Sequence, residues 1–181
     1  MNRRQFLSTL AVSSAPLVGG CSQLDESGAK TQASATDERS PVPTMRATPF
    51  HESYEMTTIS VRSSGGETLG SLTAAIADTE ELRYEGLSST PALPDDRGML
   101  FVYEELQGHA FVMRGMDYGL DIIFVDAEQT ITQIHHADAP GPNEDGEDQV
   151  YTGWGQYVLE VNLNWTTERE ITEGDMLEFS L

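Results

Sequence analysis

Short apolar segments of β type recur across residues 56–181, and this spacing constrains the fold more than any other feature. Residues 57–62 alternate apolar and polar side chains at period 2, which is typical of a strand with one buried face. Intervals of about ten residues between short strands are typical of an antiparallel barrel or sandwich. The predicted strands are residues 57–62, 69–77, 99–103, 110–114, 120–126, 130–137, 156–161 and 175–181.

One short segment departs from this β pattern. Asp78 and Glu81 have the spacing of a capping box, which predicts a helix over residues 79–86 with Asp78 as its N-cap. Gly86 is the predicted C-cap. We therefore expect a mainly β domain, at the margin of α+β, built as a small antiparallel β-barrel or sandwich with one short helix near residues 79–86.

The N-terminus has the features of an export signal. Arg3-Arg4 is followed by a weakly apolar stretch that is too short to span a membrane and then by Gly19-Gly20-Cys21. The paired arginines resemble a twin-arginine signal, and the small residues before Cys21 resemble a lipobox. We expect residues 1–20 to be removed and Cys21 to carry a diacyl-type lipid, because one acyl chain anchors only marginally.

The composition of residues 21–55, which is acidic and rich in Ser, Thr and Pro, predicts a disordered linker. Phe50, His51 and Tyr54 are candidates for the first side chains that pack onto the domain. A lipid on Cys21 predicts that the protein lies on the outer face of the cell membrane and contacts that membrane only through the anchor.

Charge sets the expected environment and excludes one class of partner. The chain has 181 residues, with 10 Lys and Arg against 30 Asp and Glu, for a net charge of −20. Nucleic-acid binding needs clustered basic residues, so we expect no nucleic-acid partner. Nine of the ten basic residues are Arg. An acidic, Lys-poor surface suits concentrated salt, where charge repulsion is screened. The sequence predicts a halophilic protein.

Several motifs follow one another in order across the domain. They are Asp78-Thr79 with Arg83 and Gly86-Leu87, then residues 97–102 and 111–114, then residues 120–126 and 157–162, and last Ile171 with Gly174-Asp175. Together they resemble the family called domain of unknown function 192. The resemblance implies a small, mainly β fold that is found in bacteria and archaea, often behind a signal peptide, and it implies no established activity.

The chain departs from this family at three places. Leu82 stands where the family usually has Glu. Residues 111–116 read Phe-Val-Met-Arg-Gly-Met, where the family usually has Phe-Trp-Met-Lys-Asn-Thr. Asn164 stands where the family usually has Gly. A site that used the polar groups of the missing Trp, Asn and Thr would be weakened here.

Charged residues within apolar strands are the candidate site residues. Asp121 and Glu160 each interrupt an apolar run, and burial of a carboxylate is costly unless it is paired or hydrogen-bonded. One hypothesis is a ligand pocket walled by Arg83, Met113, Arg114, Asp121 and Glu160. The alternative is that these carboxylates form structural ion pairs or brace a turn. If Asp121 and Glu160 converged, they could act as a general acid and base, as in a hydrolase.

No metal or cofactor is expected. His135 and His136 are adjacent on a predicted strand, so their rings point to opposite faces and cannot chelate one ion. Residues 139–148 carry four acids without EF-hand spacing, which favours a solvated loop over a calcium site. Asn164 begins an Asn-Trp-Thr glycosylation pattern, which is as consistent with chance as with modification.

These observations favour a monomeric, non-catalytic module that binds a small ligand or a component of the cell envelope. The alternatives are an enzyme that uses Asp121 and Glu160 with Arg83 and Arg114, and an accessory protein without a ligand. The sequence does not decide whether the protein is an enzyme.

Overall fold

The computed structural model describes residues 54–181. The predicted signal peptide, the predicted lipidation residue Cys21 and most of the predicted linker lie outside these residues. Tyr54 is already buried in the domain. Within the described part of the chain, no helix is long and apolar enough to cross a membrane. The strands are β1 (Met56–Arg62), β2 (Thr68–Ala77), β3 (Arg97–Val112), β4 (Leu120–Val125), β5 (Ile131–Ala137), β6 (Val150–Asn162) and β7 (Met176–Glu178).

These seven strands form one mixed sheet in the order β5-β4-β6-β3-β2-β1-β7. The sheet curls, so that its two edge strands, β5 and β7, approach each other at one end. Thr130 bridges to Met176, and the amide of Ile131 donates to the Asp175 carbonyl at 2.8 Å. The result is a half-barrel, so the mainly β prediction with one small helix is confirmed.

Both faces of the sheet are buried, since alternate side chains along the central strands enter two separate cores. β4 is buried at every position. The inner core, on the concave side, includes Ile59, Leu100, Ile123, Leu159, Val161, Trp165 and Leu177. The outer core lies under the helix and neighbouring loops and includes Met99, Phe101, Met113, Leu120, Ile122, Phe124 and Val158.

One strand pair differs from the antiparallel prediction. β1 and β2 form an antiparallel hairpin, but β2 and β3 run parallel. Parallel neighbours need a crossover of a dozen or more residues, usually with a helix. Residues 78–96, which contain the helix α1 (Glu80–Glu85), supply that crossover. The helix that the sequence predicts is therefore the physical reason for the parallel pair.

Strand boundaries also differ from the prediction. The two segments predicted at 99–103 and 110–114 belong to the single strand β3, whose pairing with β6 shifts between Val102 and Gln107. β6 begins at Val150 rather than 156, and β7 is limited to three residues. The exposed middle of β3 lacks an apolar alternation, and residues 103–106 have no paired residue on β6, so the sequence pattern and the strand pairing are interrupted at the same place.

The helix α1 has a different N-cap from the predicted one. Thr79, not Asp78, caps it, and its hydroxyl oxygen accepts the amide hydrogen of Leu82 at 3.3 Å. Both residues are good N-caps in isolation, and the backbone conformation selects the second. Gly86 is the C-cap, as predicted, and its positive φ of 51° favours glycine. The helix carries Arg83 and Tyr84 toward the adjacent cavity.

Candidate functional site

A cavity of about 260 Å³ lies between α1, the residues after it, and β3. Three predicted site residues, Arg83, Arg114 and Glu160, contribute to its wall. The other lining residues are Tyr84, Glu85, Gly86, Leu87, Ser88, Phe101, Tyr103, His109, Ala110, Phe111, Val112, Met116 and Leu120.

Glu160 is the buried polar group of this cavity. It lies on β6 opposite Met99 of β3 and Ile122 of β4, both of which belong to the outer core. The residue is only 6% exposed, and its carboxyl group makes no hydrogen bond or ion pair with residues 54–181. Burial raises the pKa of Glu160 to about 8. The carboxyl group is therefore mostly protonated at pH 7 and can donate a hydrogen bond.

Two tyrosine hydroxyls, those of Tyr103 and Tyr118, interact electrostatically with this carboxyl group. Burial, and to a smaller extent the charge of Glu160, raise the pKa of Tyr118 to about 12. Burial also raises the pKa of Tyr103, against the effect of the Arg83 charge. The Tyr118 hydroxyl has no hydrogen-bond partner among the described residues. The region around Glu160 thus contains neutral polar groups in apolar surroundings.

Aromatic side chains form one wall of the cavity. The rings of Tyr103 and His109 stack with centroids 3.7 Å apart, and Phe101 and Phe111 meet edge to face at 4.9 Å. His109 Nε2 lies 3.0 Å from the Gly155 carbonyl oxygen, so Nε2 carries the hydrogen. Burial lowers the pKa of His109, and the Arg83 charge acts in the same direction, against the effect of the hydrogen bond to the Gly155 carbonyl. The net effect favours the neutral ring.

Arg83 and Arg114 are held by carbonyl oxygens and aromatic rings. Arg83 Nη1 donates to the carbonyls of Asp78 and Val102, both at 2.7 Å, and its guanidinium lies 4.9 Å from the Tyr103 ring centroid. Arg114 Nη2 donates to the Tyr84 carbonyl at 2.8 Å. Its guanidinium lies 4.2 Å from the Tyr84 ring centroid. Both guanidinium groups are positioned without the use of a carboxylate.

Asp121 does not line this cavity, contrary to the pocket hypothesis. Its Oδ2 accepts hydrogen bonds from the Thr166 amide at 2.8 Å and from the Thr166 hydroxyl at 2.6 Å. Its Oδ1 accepts the Asn164 amide at 3.0 Å and lies 2.7 Å from His136 Nδ1. The carboxylate is fully buried and braces the turn after β6. Asp121 therefore has the structural role that the alternative hypothesis gave it.

Met113 is also absent from the cavity lining. Its side chain is fully buried in the outer core, and its amide donates to the Gly146 carbonyl at 3.1 Å.

Asn164 is exposed with a φ of 70°, a left-handed conformation that Gly and Asn tolerate best. This conformation explains why Asn can stand where the family has Gly. Thr166 of the glycosylation pattern is buried.

The adjacent histidines His135 and His136 and the acidic loop, residues 139–148, make hydrogen bonds away from the cavity wall. His136 contacts Asp121, whereas His135 Nε2 lies 2.9 Å from the Thr152 carbonyl oxygen. In the acidic loop, the Gly115 amide donates to the Asp145 carbonyl at 3.1 Å, which fastens the loop to the segment that bears Arg114. Over residues 54–181, no three His, Cys, Asp or Glu side chains are placed to hold a metal ion.

Sequence reasoning missed the aromatic wall. Phe101 with Tyr103, and His109 with Phe111, are spaced two residues apart, so each pair shares one face of a strand. This alternation was a usable signal. The convergence of the two pairs was not, because it depends on the shifted pairing of β3 with β6.

The fold is shared with solved structures. A protein from Sinorhizobium meliloti 1021, whose name proposes a transcription regulator, is similar with a TM-score of 0.62 and 26% identity, over 70% of this chain and 95% of that one. A protein of unknown function from Novosphingobium aromaticivorans DSM 12444 is similar with a TM-score of 0.55 and 26% identity, over 67% of this chain and 83% of that one.

Matches at the level of sequence give the family. No curated protein matches the chain. Residues 60–179 match the family DUF192, described as an uncharacterized ACR. The match covers most of the chain and includes α1, β3, β4 and β6, which form the cavity and place Glu160 in it. The chain therefore belongs to the DUF192 family.

Proposed function

We propose that this protein is a non-catalytic module that binds a small ligand in the cavity beside Glu160. The observation that carries this proposal is a buried carboxyl group with no hydrogen-bond partner among residues 54–181. A ligand in the cavity would supply the hydrogen bond that residues 54–181 do not give this group. Small-molecule sites are usually concave and combine apolar side chains with a few placed polar groups, and this cavity has both kinds of residue in its wall.

The hydrolase alternative required Asp121 and Glu160 in one cleft. The strand register places them on opposite faces of the sheet, so these two carboxylates cannot act on the same substrate atom. The name of the Sinorhizobium protein proposes a transcription regulator, and direct binding to nucleic acid is opposed here by the net charge of −20. Binding is the function that the cavity supports best.

The test is to map ligand contacts by NMR with a fragment set that contains anions, cations and neutral compounds. We expect amide shifts at Gly86, Ser88 and Ala110 for at least one fragment. Ser88→Phe should fill the cavity mouth and abolish these shifts, whereas the exposed Ser71→Phe on β2 should leave them unchanged. Shifts that persist in Ser88→Phe, or that never occur in the cavity, would contradict the proposal.

The proposed setting is the outer face of the cell membrane. The twin arginines Arg3-Arg4 and the lipobox-like residues before Cys21 support export and lipid attachment. Cys21→Ser should release the protein into the medium, because a tether without its lipid has no membrane affinity. Lysine at both arginine positions should block export. Firm membrane association of Cys21→Ser would disprove the anchor.

The proposed environment has high salt. Removal of residues 1–20 takes away Arg3 and Arg4 and no acid, so the mature chain is more acidic still. Self-repulsion of this charge should destabilise the fold when salt is withdrawn. Circular dichroism during dialysis from concentrated KCl should show loss of β structure. A fold that is equally stable in dilute buffer would contradict halophilic adaptation.

A further inference from the structure

We infer that the cavity beside Glu160 takes a small organic anion with an apolar body, and that Arg83 and Arg114 bind its anionic group. This inference rests on the proposed binding function and adds the chemical class of the ligand. Four features carry it: the distribution of ion pairs, the preorganisation of the two arginines, the charge of the cavity wall, and the apolar residues around the neutral Glu160.

The first feature is the distribution of ion pairs. The described residues include five arginines. Arg62, Arg97 and Arg169 each lie within 4.0 Å of a carboxylate. Arg83 and Arg114 pair with no carboxylate of residues 54–181, although acids outnumber basic residues three to one in the chain. The two arginines left without a carboxylate are both in the cavity wall.

The second feature is that these guanidinium groups are preorganised. Carbonyl oxygens and the rings of Tyr103 and Tyr84 hold them in place. A guanidinium has five N–H donors, and most of those on Arg83 and Arg114 are not used by these carbonyls. Fixed arginines of this kind are well suited to carboxylates and other oxyanions, because less side-chain freedom is lost on binding.

The charge of the cavity wall also favours an anion. The acidic residues in this wall are Glu85, which is exposed to solvent, and Glu160, which is mostly protonated at pH 7. His109 is neutral there. The two guanidinium charges therefore exceed the one ionised carboxylate locally, in a protein with a strongly negative total. An ammonium ligand would face this local positive charge.

The apolar wall determines the rest of the ligand. Phe101, Phe111, Leu87, Met116 and Leu120 line the cavity and offer a surface for an aromatic or aliphatic body. Glu160 adds one hydrogen-bond donor in these surroundings, which suits a neutral oxygen such as a hydroxyl or carbonyl. A second negative charge beside Glu160 would be desolvated without a cation and is disfavoured. The ligand is thus a monoanion whose charge stays at the arginines.

The experiment compares three compounds of similar size: phenylacetate, phenylacetamide and phenethylamine. Binding to the full chain is measured by NMR titration at pH 7, at the lowest KCl concentration that keeps the protein folded. We expect phenylacetate to bind about tenfold more tightly than phenylacetamide, the scale of one charge-assisted hydrogen bond. Phenethylamine should bind most weakly.

Arg114→Gln identifies the residue responsible. It should weaken the preference for phenylacetate over phenylacetamide, because Arg83 alone then remains for the anionic group, whereas a merely structural role would weaken the binding of both compounds alike. Arg169→Gln is the matched control, because Arg169 also donates to a carbonyl, that of Trp165 at 3.0 Å, and lies 4.6 Å from an aromatic ring centroid. Arg169 is not in the cavity wall, so its substitution should preserve the preference.

Each outcome decides the inference. Binding of phenethylamine that equals or exceeds that of phenylacetate would overturn it, as would no binding of phenylacetate or an unchanged preference in Arg114→Gln. The proposed function has a separate criterion, since it fails only when no member of the wider fragment set binds in the cavity.

Discussion

Asp121 and Glu160 lie on adjacent antiparallel strands and face opposite sides of the sheet. Asp121 stands opposite Val161, and Ile122 stands opposite Glu160, so the two carboxyl groups point into different cores. Asp121 is saturated with hydrogen bonds from the turn after β6, whereas Glu160 has none from the described residues. One carboxylate therefore supports the fold, and the other is available to a ligand.

Asp121→Ala should strongly destabilise the domain. The amides of Asn164 and Thr166 and the Thr166 hydroxyl would lose their buried acceptor. Unsatisfied buried donors cost roughly 1–3 kcal/mol each, so we expect a loss of about 3 kcal/mol or more in the free energy of unfolding, measured by guanidinium denaturation at constant KCl. The exposed Asp117→Ala removes the same charge and should change stability by about 0.5 kcal/mol or less. Equal effects of the two substitutions would refute the bracing role.

Glu160 should make stability depend on pH. Its pKa is raised from 4.5 to about 8 in the folded protein. Below pH 4.5 the group is protonated in both states; between pH 4.5 and about 8 only the folded state retains the proton; above this range both states have lost it. Its contribution is therefore fully present below pH 4.5 and is lost as pH rises to about 8, by at most about 1.4 kcal/mol per pH unit.

Glu160→Gln should remove this dependence, because the amide stays neutral. The measurement is the free energy of unfolding of both proteins across this pH range, and the variant should gain stability relative to the wild type as pH rises. The exposed Glu173→Gln controls for the loss of one negative charge. A difference between wild type and Glu160→Gln that stays constant with pH would contradict the raised pKa.

Gly146→Ala should destabilise the acidic loop, residues 139–148, and the segment around Arg114 that the loop holds in place. Gly146 has a φ of 79°, and a Cβ there would overlap the carbonyl oxygen of Met113. We expect a loss of about 2 kcal/mol or more in the free energy of unfolding, from strain and overlap together. Gly66→Ala is the matched control, since its φ is 84° but a Cβ would meet nothing within 4 Å. It should cost about 1 kcal/mol, and a similar cost for both would show that the overlap is relieved.

Thr79→Ala should destabilise α1, which carries Arg83 and Tyr84 to the cavity. Loss of the hydroxyl that accepts the Leu82 amide should cost about 1 kcal/mol in thermal unfolding. Asp78→Ala should cost less, because its side chain makes no capping hydrogen bond among the described residues. The reverse order of the two effects would favour Asp78 as the N-cap.

Part of the fold could be predicted from the sequence because it depends on neighbouring residues. Alternation at period 2 identifies β1, a continuous apolar run identifies β4, and Gly86 marks the end of α1. The pattern fails in the exposed middle of β3, where the pairing with β6 is also interrupted between Val102 and Gln107. The parallel β2–β3 pair was also missed, although the predicted helix between those strands provided the crossover that it requires.

The candidate site could also be predicted in part, because one of its signals depends only on residues that are neighbours in the sequence. A charged residue in an apolar run signals that burial needs an explanation, and this signal selected both Asp121 and Glu160. It could not distinguish them, because the face that each presents depends on a register between residues about forty positions apart. The aromatic wall likewise depends on the bend of β3 against β6.

The sequence by itself determined the mainly β class, most strand positions, the helix and the acidic character, since local periodicity, capping preferences and composition are properties of neighbouring residues. The tertiary structure decided which carboxyl group braces the fold and which remains free in a cavity. The physical reason is that strand register sets the direction of a side chain. Desolvation, which gives Glu160 its raised pKa, exists only once distant strands have packed around it.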